Sequence, residues 1–278
     1  MCFTWLPMVA CTIKKFSGAS NMHIKRSEFI TMAGGVLGAM LFTKPVDLLF
    51  TKMRPNAVKA IAFDGLAIFD PRPVFKFAQD LFPEHGAELV NQWKTKQFEY
   101  TWLHNITGTY TDFFTVTRDA LVFSAKALKL ELDQQKEKQL MQAFLNLRTW
   151  PDVADALKTL KNAGIRLALL SNFTEEMMQK GIQNSGLNGV FEFTLSTDKV
   201  RKFKPDPGAY QMAIDAFKLN KRDILFVPFA GWDAAGAKQF GYKTFWANRL
   251  GSLAEELGVY ADAEGKELKD LIAYCNLK

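Results

Sequence analysis

Five short runs of β-prone, apolar residues stop abruptly at polar ones, and no other feature constrains the fold of this chain so much. Val58-Lys59-Ala60-Ile61-Ala62-Phe63 ends at Asp64-Gly65, and Arg166-Leu167-Ala168-Leu169-Leu170 ends at Ser171-Asn172. Phe191 to Ser196, Ile224 to Val227 and Lys243 to Ala247 are three more such runs. From the second run onward, helical patterns separate them, among them Thr174 to Ser185 and Pro207 to Phe217. Thr174 offers a hydroxyl to the orphan amides of a first turn, and Glu175-Glu176 suit its dipole. Apolar strands alternating with helices read as βαβ units, hence an α/β protein with a parallel sheet flanked by helices.

Between the first and second runs the rhythm changes. Residues 73 to 150 hold no strand candidate and several helices, such as Glu88 to Trp102 and Asp112 to Leu128. Pro71 and Pro73 on one side, and Trp150-Pro151 on the other, disfavour helix continuation at the junctions. The expected organisation is therefore a core made of 57–72 and 151–278, with an α-helical cap, 73–150, inserted after the first strand. Residues 1–56 form a leader outside it.

Charge and cysteine usage narrow the function. The 278 residues carry a formal net charge of +6, but residues 1–56 hold seven Lys/Arg against two Asp/Glu. The remaining residues are nearly neutral and lack a basic stripe, which argues against a nucleic-acid partner. In the leader, the apolar run Ile30 to Phe42 follows Lys25-Arg26 and is too short to span a bilayer comfortably. Lys25-Arg26-Ser27-Glu28-Phe29 resembles a twin-arginine export signal with Lys in place of the first Arg. Export to the periplasm is expected, with Met22 as a natural start; a cytoplasmic protein with an N-terminal extension is the alternative. Cys2, Cys11 and Cys275 leave the body one thiol, and His23, His85 and His104 are too scattered for a zinc site, so no metal or cofactor is expected.

In a parallel sheet, chemistry gathers at the carboxyl ends of the strands. Those ends present Asp64, Ser171-Asn172 and, beyond the fourth strand, Asp233, while Lys204-Pro205-Asp206 follows the third. Phe63-Asp64, Leu170-Ser171-Asn172, Lys204-Pro205-Asp206 and Trp232-Asp233-Ala234-Ala235-Gly236-Ala237 occur in the order of the haloacid dehalogenase superfamily. Gln97 to Trp102, Asp119-Ala120-Leu121, Phe245 to Arg249 and Glu255-Glu256-Leu257-Gly258 are similar to its L-2-haloacid dehalogenases of type II. The resemblance covers residues 58–275 and implies a Rossmann-like core with a helical cap, possessing hydrolase activity on short 2-halo acids. Asp64 would displace halide and form an aspartyl ester, which water then opens to a 2-hydroxy acid. Lys204 would balance the charge on Asp64, Asp233 would orient Lys204 or the water, and Ser171 and Asn172 would hold the substrate carboxylate. Lys94 aligns with the family's halide-binding arginine, and Tyr210 with a tyrosine the family uses; both are expected to bind substrate. Trp232 and Phe98 are expected in the pocket wall. Relatives of this kind are often homodimers.

The departures from the family pattern fall inside the site. The loop Asp64-Gly65-Leu66-Ala67-Ile68-Phe69-Asp70 is one residue shorter than the family's and lacks its threonine; Gly65 suggests a changed backbone path. Lysine at 94 keeps a charge but loses the planar donor fork of arginine. Pro228-Phe229-Ala230 stands where the family has Ser-Ser-Asn, whose asparagine helps to place hydrolytic water. A more apolar pocket and slower ester hydrolysis are expected. Two rival functions are a catalytically weakened member that binds a small carboxylate or a protein, and a magnesium-dependent phosphatase. The latter chemistry wants an acid two positions after the nucleophile, where this chain has Leu66.

Overall fold

The structure, a computed structural model, describes residues 58–277. The leader and its export signal lie outside the described residues. In chain order the elements are β1 (Ala60–Phe63), α1 (Gly65–Ile68), β2 (Phe69–Asp70), α2 (Arg72–Leu81), α3 (Gly86–Thr107), α4 (Phe113–Ala127), α5 (Gln134–Leu145) and β3 (Arg148–Thr149). There follow α6 (Val153–Asn162), β4 (Arg166–Ser171), α7 (Glu175–Asn184), β5 (Phe193–Ser196), α8 (Pro207–Phe217) and β6 (Ile224–Val227). The last are α9 (Gly231–Phe240), β7 (Lys243–Ala247), β8 (Ala263–Gly265) and α10 (Leu268–Tyr274).

Six strands form one sheet in the order β5-β4-β1-β6-β7-β8, every neighbouring pair parallel. β1 takes a central place because Ala-Ile-Ala-Phe is apolar toward both faces, and both faces are covered. Side chains alternate across the pleat. Ile61, Phe63, Leu169 and Val227 join a core that includes Trp93, Phe144 and Phe173. Ala62, Leu170 and Phe226 join the opposite one, with Tyr210, Phe217 and Tyr242. The chain winds from β1 through β4 to β5, then returns to the other side of β1 at β6. That reversal opens a crevice at the carboxyl ends of β1 and β6, where open α/β sheets bind their ligands.

The helices start and stop for local reasons. Asp112, Asp133 and Thr174 accept from the backbone N–H of Thr115, Lys136 and Met177, capping α4, α5 and α7. α3 runs further than the sequence pattern suggests, to Thr107, and ends where Gly108 adopts φ +71°. Three strands, β2, β3 and β8, depart from the sequence reading. Residues 73–150 do contain one, β3, paired antiparallel with β2 at the foot of the helical segment. Two residues are too few to show a period. β8 is Ala-Glu-Gly and has no β propensity of its own; its place comes from pairing with β7. Among the described residues no helix is long and apolar enough to cross a membrane.

Candidate active site

Asp64 leaves the end of β1 in extended conformation and caps α1, its Oδ2 accepting from the Leu66 N–H at 3.0 Å. Lys204 Nζ donates to Asp64 Oδ1 at 2.7 Å and to Asp233 Oδ2 at 2.6 Å. The ammonium is 1% exposed, against 14% for the Asp64 side chain and 2% for that of Asp233. Of the three, therefore, Asp64 is the group that faces outward. Burial opposes the charge on Lys204, but the Asp233 and Asp64 carboxylates outweigh it and raise the lysine pKa. Burial likewise pushes the Asp233 carboxyl up to about 6, against the pull of Lys204.

Two glycines are required here by close approach. A Cβ on Gly65 would lie 2.7 Å from Ser171 Oγ and 3.0 Å from the Phe173 ring. Gly65 thus serves contact between α1 and the β4 loop, and its φ is not positive. A Cβ on Gly236 would meet the Tyr210 hydroxyl at 2.7 Å. The bare position lets α9 settle against α8 and brings Tyr210 Oη to donate to Asp233 Oδ1 at 2.7 Å.

Other expected site residues separate into three groups. Ser171 and Asn172 sit at the end of β4, where Ser171 Oγ accepts from the Phe173 N–H and Asn172 Oδ1 accepts from the Lys204 N–H at 2.8 Å. Lys94, Phe98 and Trp232 line a cavity of about 170 Å³ that also reaches Asp64, Asp233, Ser171 and Asn172. Lys94 is exposed, with its ammonium 5.5 Å from the centre of the Phe75 ring. Tyr210 is the exception: it is fully buried beneath Asp233, against Phe226 and Tyr242, and does not line the cavity. Its place on the sheet-facing side of α8 turns it away from any substrate, so its assignment to substrate binding is corrected. Among the described residues no group of three His, Cys, Asp or Glu side chains converges, and the ammonium of Lys204 occupies the space between the two carboxylates.

Three positioning residues were not apparent from sequence. Asn105 on α3 grips the peptide of Phe203 with both ends of its amide, donating to the carbonyl at 2.7 Å and accepting from the N–H at 2.9 Å. Lys204 is the next residue, so this amide ties the helical segment to the lysine. Trp150 Nε1 donates to the Leu66 carbonyl at 3.0 Å, and Arg249 Nη2 to the Ala67 carbonyl at 3.0 Å. These carbonyls belong to the single turn that follows Asp64, which has no further helix to satisfy them. Arg249 is itself held by Asp152, both oxygens at 2.7 Å, and lies over the Trp150 ring. Only the likeness of Phe245 to Arg249 to family sequences hinted at this clasp. Replacing Asn105 by leucine is expected to cost about 1–3 kcal/mol, because the Phe203 peptide is left unpaired; urea unfolding checks it.

The fold and the site together define a parallel α/β protein with a strand-end aspartate braced by a buried lysine. Residues 58–241 match the haloacid dehalogenase-like hydrolase family. The (S)-2-haloacid dehalogenase of Pseudomonas sp. (strain YL) is 38% identical over 216 residues, covering 77% of this chain and 93% of that one. Haloacetate dehalogenase H-2 of Moraxella sp. (strain B) is 37% identical, covering 74% and 92%. The solved L-2-haloacid dehalogenase of Xanthobacter autotrophicus, with chloropropionic acid covalently bound, superposes with a TM-score of 0.73 at 30% identity, covering 79% and 98%. The chain belongs to the haloacid dehalogenase-like hydrolases, on their (S)-2-haloacid dehalogenase branch.

Proposed function

We propose that this protein hydrolyses 2-halo acids to 2-hydroxy acids through an ester formed on Asp64, in the manner of type II enzymes and without a metal ion. One observation carries the reading: Asp64 faces the cavity while both its oxygens are held by donors, Lys204 Nζ and the Leu66 N–H. Fixed in this way, a carboxylate oxygen can attack C2 in line with the carbon–halogen bond. The C2–O bond forms as halide leaves with the bonding pair. One oxygen of the ester keeps a donor, which polarises the carbonyl carbon and stabilises the oxyanion when water adds there. The water oxygen stays on the carboxyl carbon, the 2-hydroxy acid departs, and one proton is released to solvent. Asp233 has both oxygens engaged, so it acts through Lys204 rather than on the water.

Leu66 also supports this reading over a phosphatase, since its backbone holds Asp64 where that chemistry would want a second acid. Ala230 lines the cavity in the place of the family's asparagine and offers water no side-chain partner. Ester opening is therefore the slow step. The test is mass spectrometry of enzyme quenched during turnover of 2-chloropropionate: the peptide with Asp64 gains the acid less the elements of hydrogen halide. Halide release with no such adduct at any time point removes the ester from the pathway.

Asp233 gives the reaction an acid limit. Below about pH 6 its carboxyl takes up a proton, Lys204 loses its stronger partner, and kcat/KM falls as pH drops. Asparagine at 233 is expected to lower kcat and to abolish that limb, as a pH–rate profile of both proteins would record.

A further inference from the structure

The polar groups of the cavity lie at the strand ends, apart from Lys94, Gln97 and Thr101 on α3. Asp64 and Asp233 hold Lys204, Ser171 accepts from the Phe173 N–H, and Asn172 braces the Lys204 backbone. Gln97 donates to Thr117 Oγ1 at 2.6 Å and Thr101 to the Phe98 carbonyl at 2.7 Å, so each has one polar group already engaged. Most of the remaining lining is aromatic. Phe113 and Phe144 each pack on Phe173, with centroids at 5.7 and 6.2 Å, and form the deep wall. Phe98 and Trp232, with centroids at 5.1 Å, form the outer wall together with Phe229 and Leu250. Phe229 is fixed through its backbone, its carbonyl accepting from Trp246 Nε1 at 2.9 Å.

The volume decides what fits. Propionate needs only a methyl group beyond C2, yet the cavity, which holds the carboxylate, C2 and halogen as well as the substituent, measures about 170 Å³. An apolar cavity of roughly 150 Å³ accommodates benzene. Resting on the dehalogenase reading above, we infer that this site selects 2-halo acids with a bulky apolar group on C2, a phenyl-bearing or four-carbon substituent. The carboxylate and C2 lie on the polar floor at the strand ends, and the substituent lies between the two aromatic walls. Phe229 is the residue that sets this preference, because it belongs to the outer wall where its family counterpart is serine.

The experiment compares kcat/KM for halide release from (S)-2-bromopropionate, (S)-2-bromohexanoate and (S)-2-bromo-3-phenylpropionate, using the full chain and one halogen. Each buried methylene contributes about fourfold, so the hexanoate is expected to exceed the propionate by at least ~10-fold, and the phenyl acid likewise. Phe229→Ser is expected to shrink that ratio by about fivefold or more, since a wall of the pocket is lost. Brisk release from the propionate with a flat or falling series overturns the inference and leaves the dehalogenase reading standing. Release from none of the three acids overturns both. An unchanged ratio in Phe229→Ser removes that residue from the selection.

Discussion

Alanine at position 64 is expected to reduce halide release from 2-chloropropionate by at least ~10⁴-fold, the scale of losing a covalent nucleophile. The protein should remain folded. Lys204 keeps its buried partner Asp233, and the lost side chain was the most exposed member of the triad. The measurement is halide release alongside thermal unfolding, with Asp64→Asn as a second arm that keeps the shape and removes the charge. Full release in either variant ends the assignment of Asp64 as nucleophile. Loss of release together with loss of folding would instead make Asp64 a structural acid.

Methionine at position 204 carries the second large effect, this time on stability as well as rate. The Lys204 side chain is closed off from solvent and serves two carboxylates at once. Without it, Asp233 is a buried charge with only Tyr210 to answer it, and removing one partner of such a pair typically costs about 3–5 kcal/mol. Activity is expected to drop by ~10³-fold or more, since the donor to Asp64 Oδ1 goes with the charge. The double variant Lys204→Met/Asp233→Asn should recover much of the stability and none of the activity. Urea unfolding of the three proteins reads the first effect and halide release the second. Equal stability of Lys204→Met and the parent would refute the account of a charge held in place by its partners.

These outcomes rest on residues that were legible before any coordinates. The runs Ile224 to Val227 and Lys243 to Ala247 are strands over those same residues, and Pro207 to Phe217 is a helix. Strands buried on both faces announce themselves as unbroken apolar runs, and the acids that end them follow from where such runs must stop. Tyr210 was assigned from the family's tyrosine, and an aligned position on a helix does not say which neighbour claims that face. Asn105 was invisible for another reason. An amide near the end of a long helix looks like surface, and its bond to Phe203 spans 98 positions that no local pattern connects. β2 and β3 exist only as each other's partners. What the sequence left dark is, in each case, a long-range pairing with no periodic signature.

The clasp on the turn after Asp64 has a consequence in time. That turn is made early in the body of the chain, but its carbonyls are gripped by Trp150 from 84 positions away and by Arg249 from 182. A nascent polypeptide that already contains Asp64, Lys204 and Asp233 still lacks the guanidinium that closes the loop. A chain ending before Arg249 would keep Asp64, Lys204 and Asp233 yet lose the guanidinium that bonds the Ala67 carbonyl.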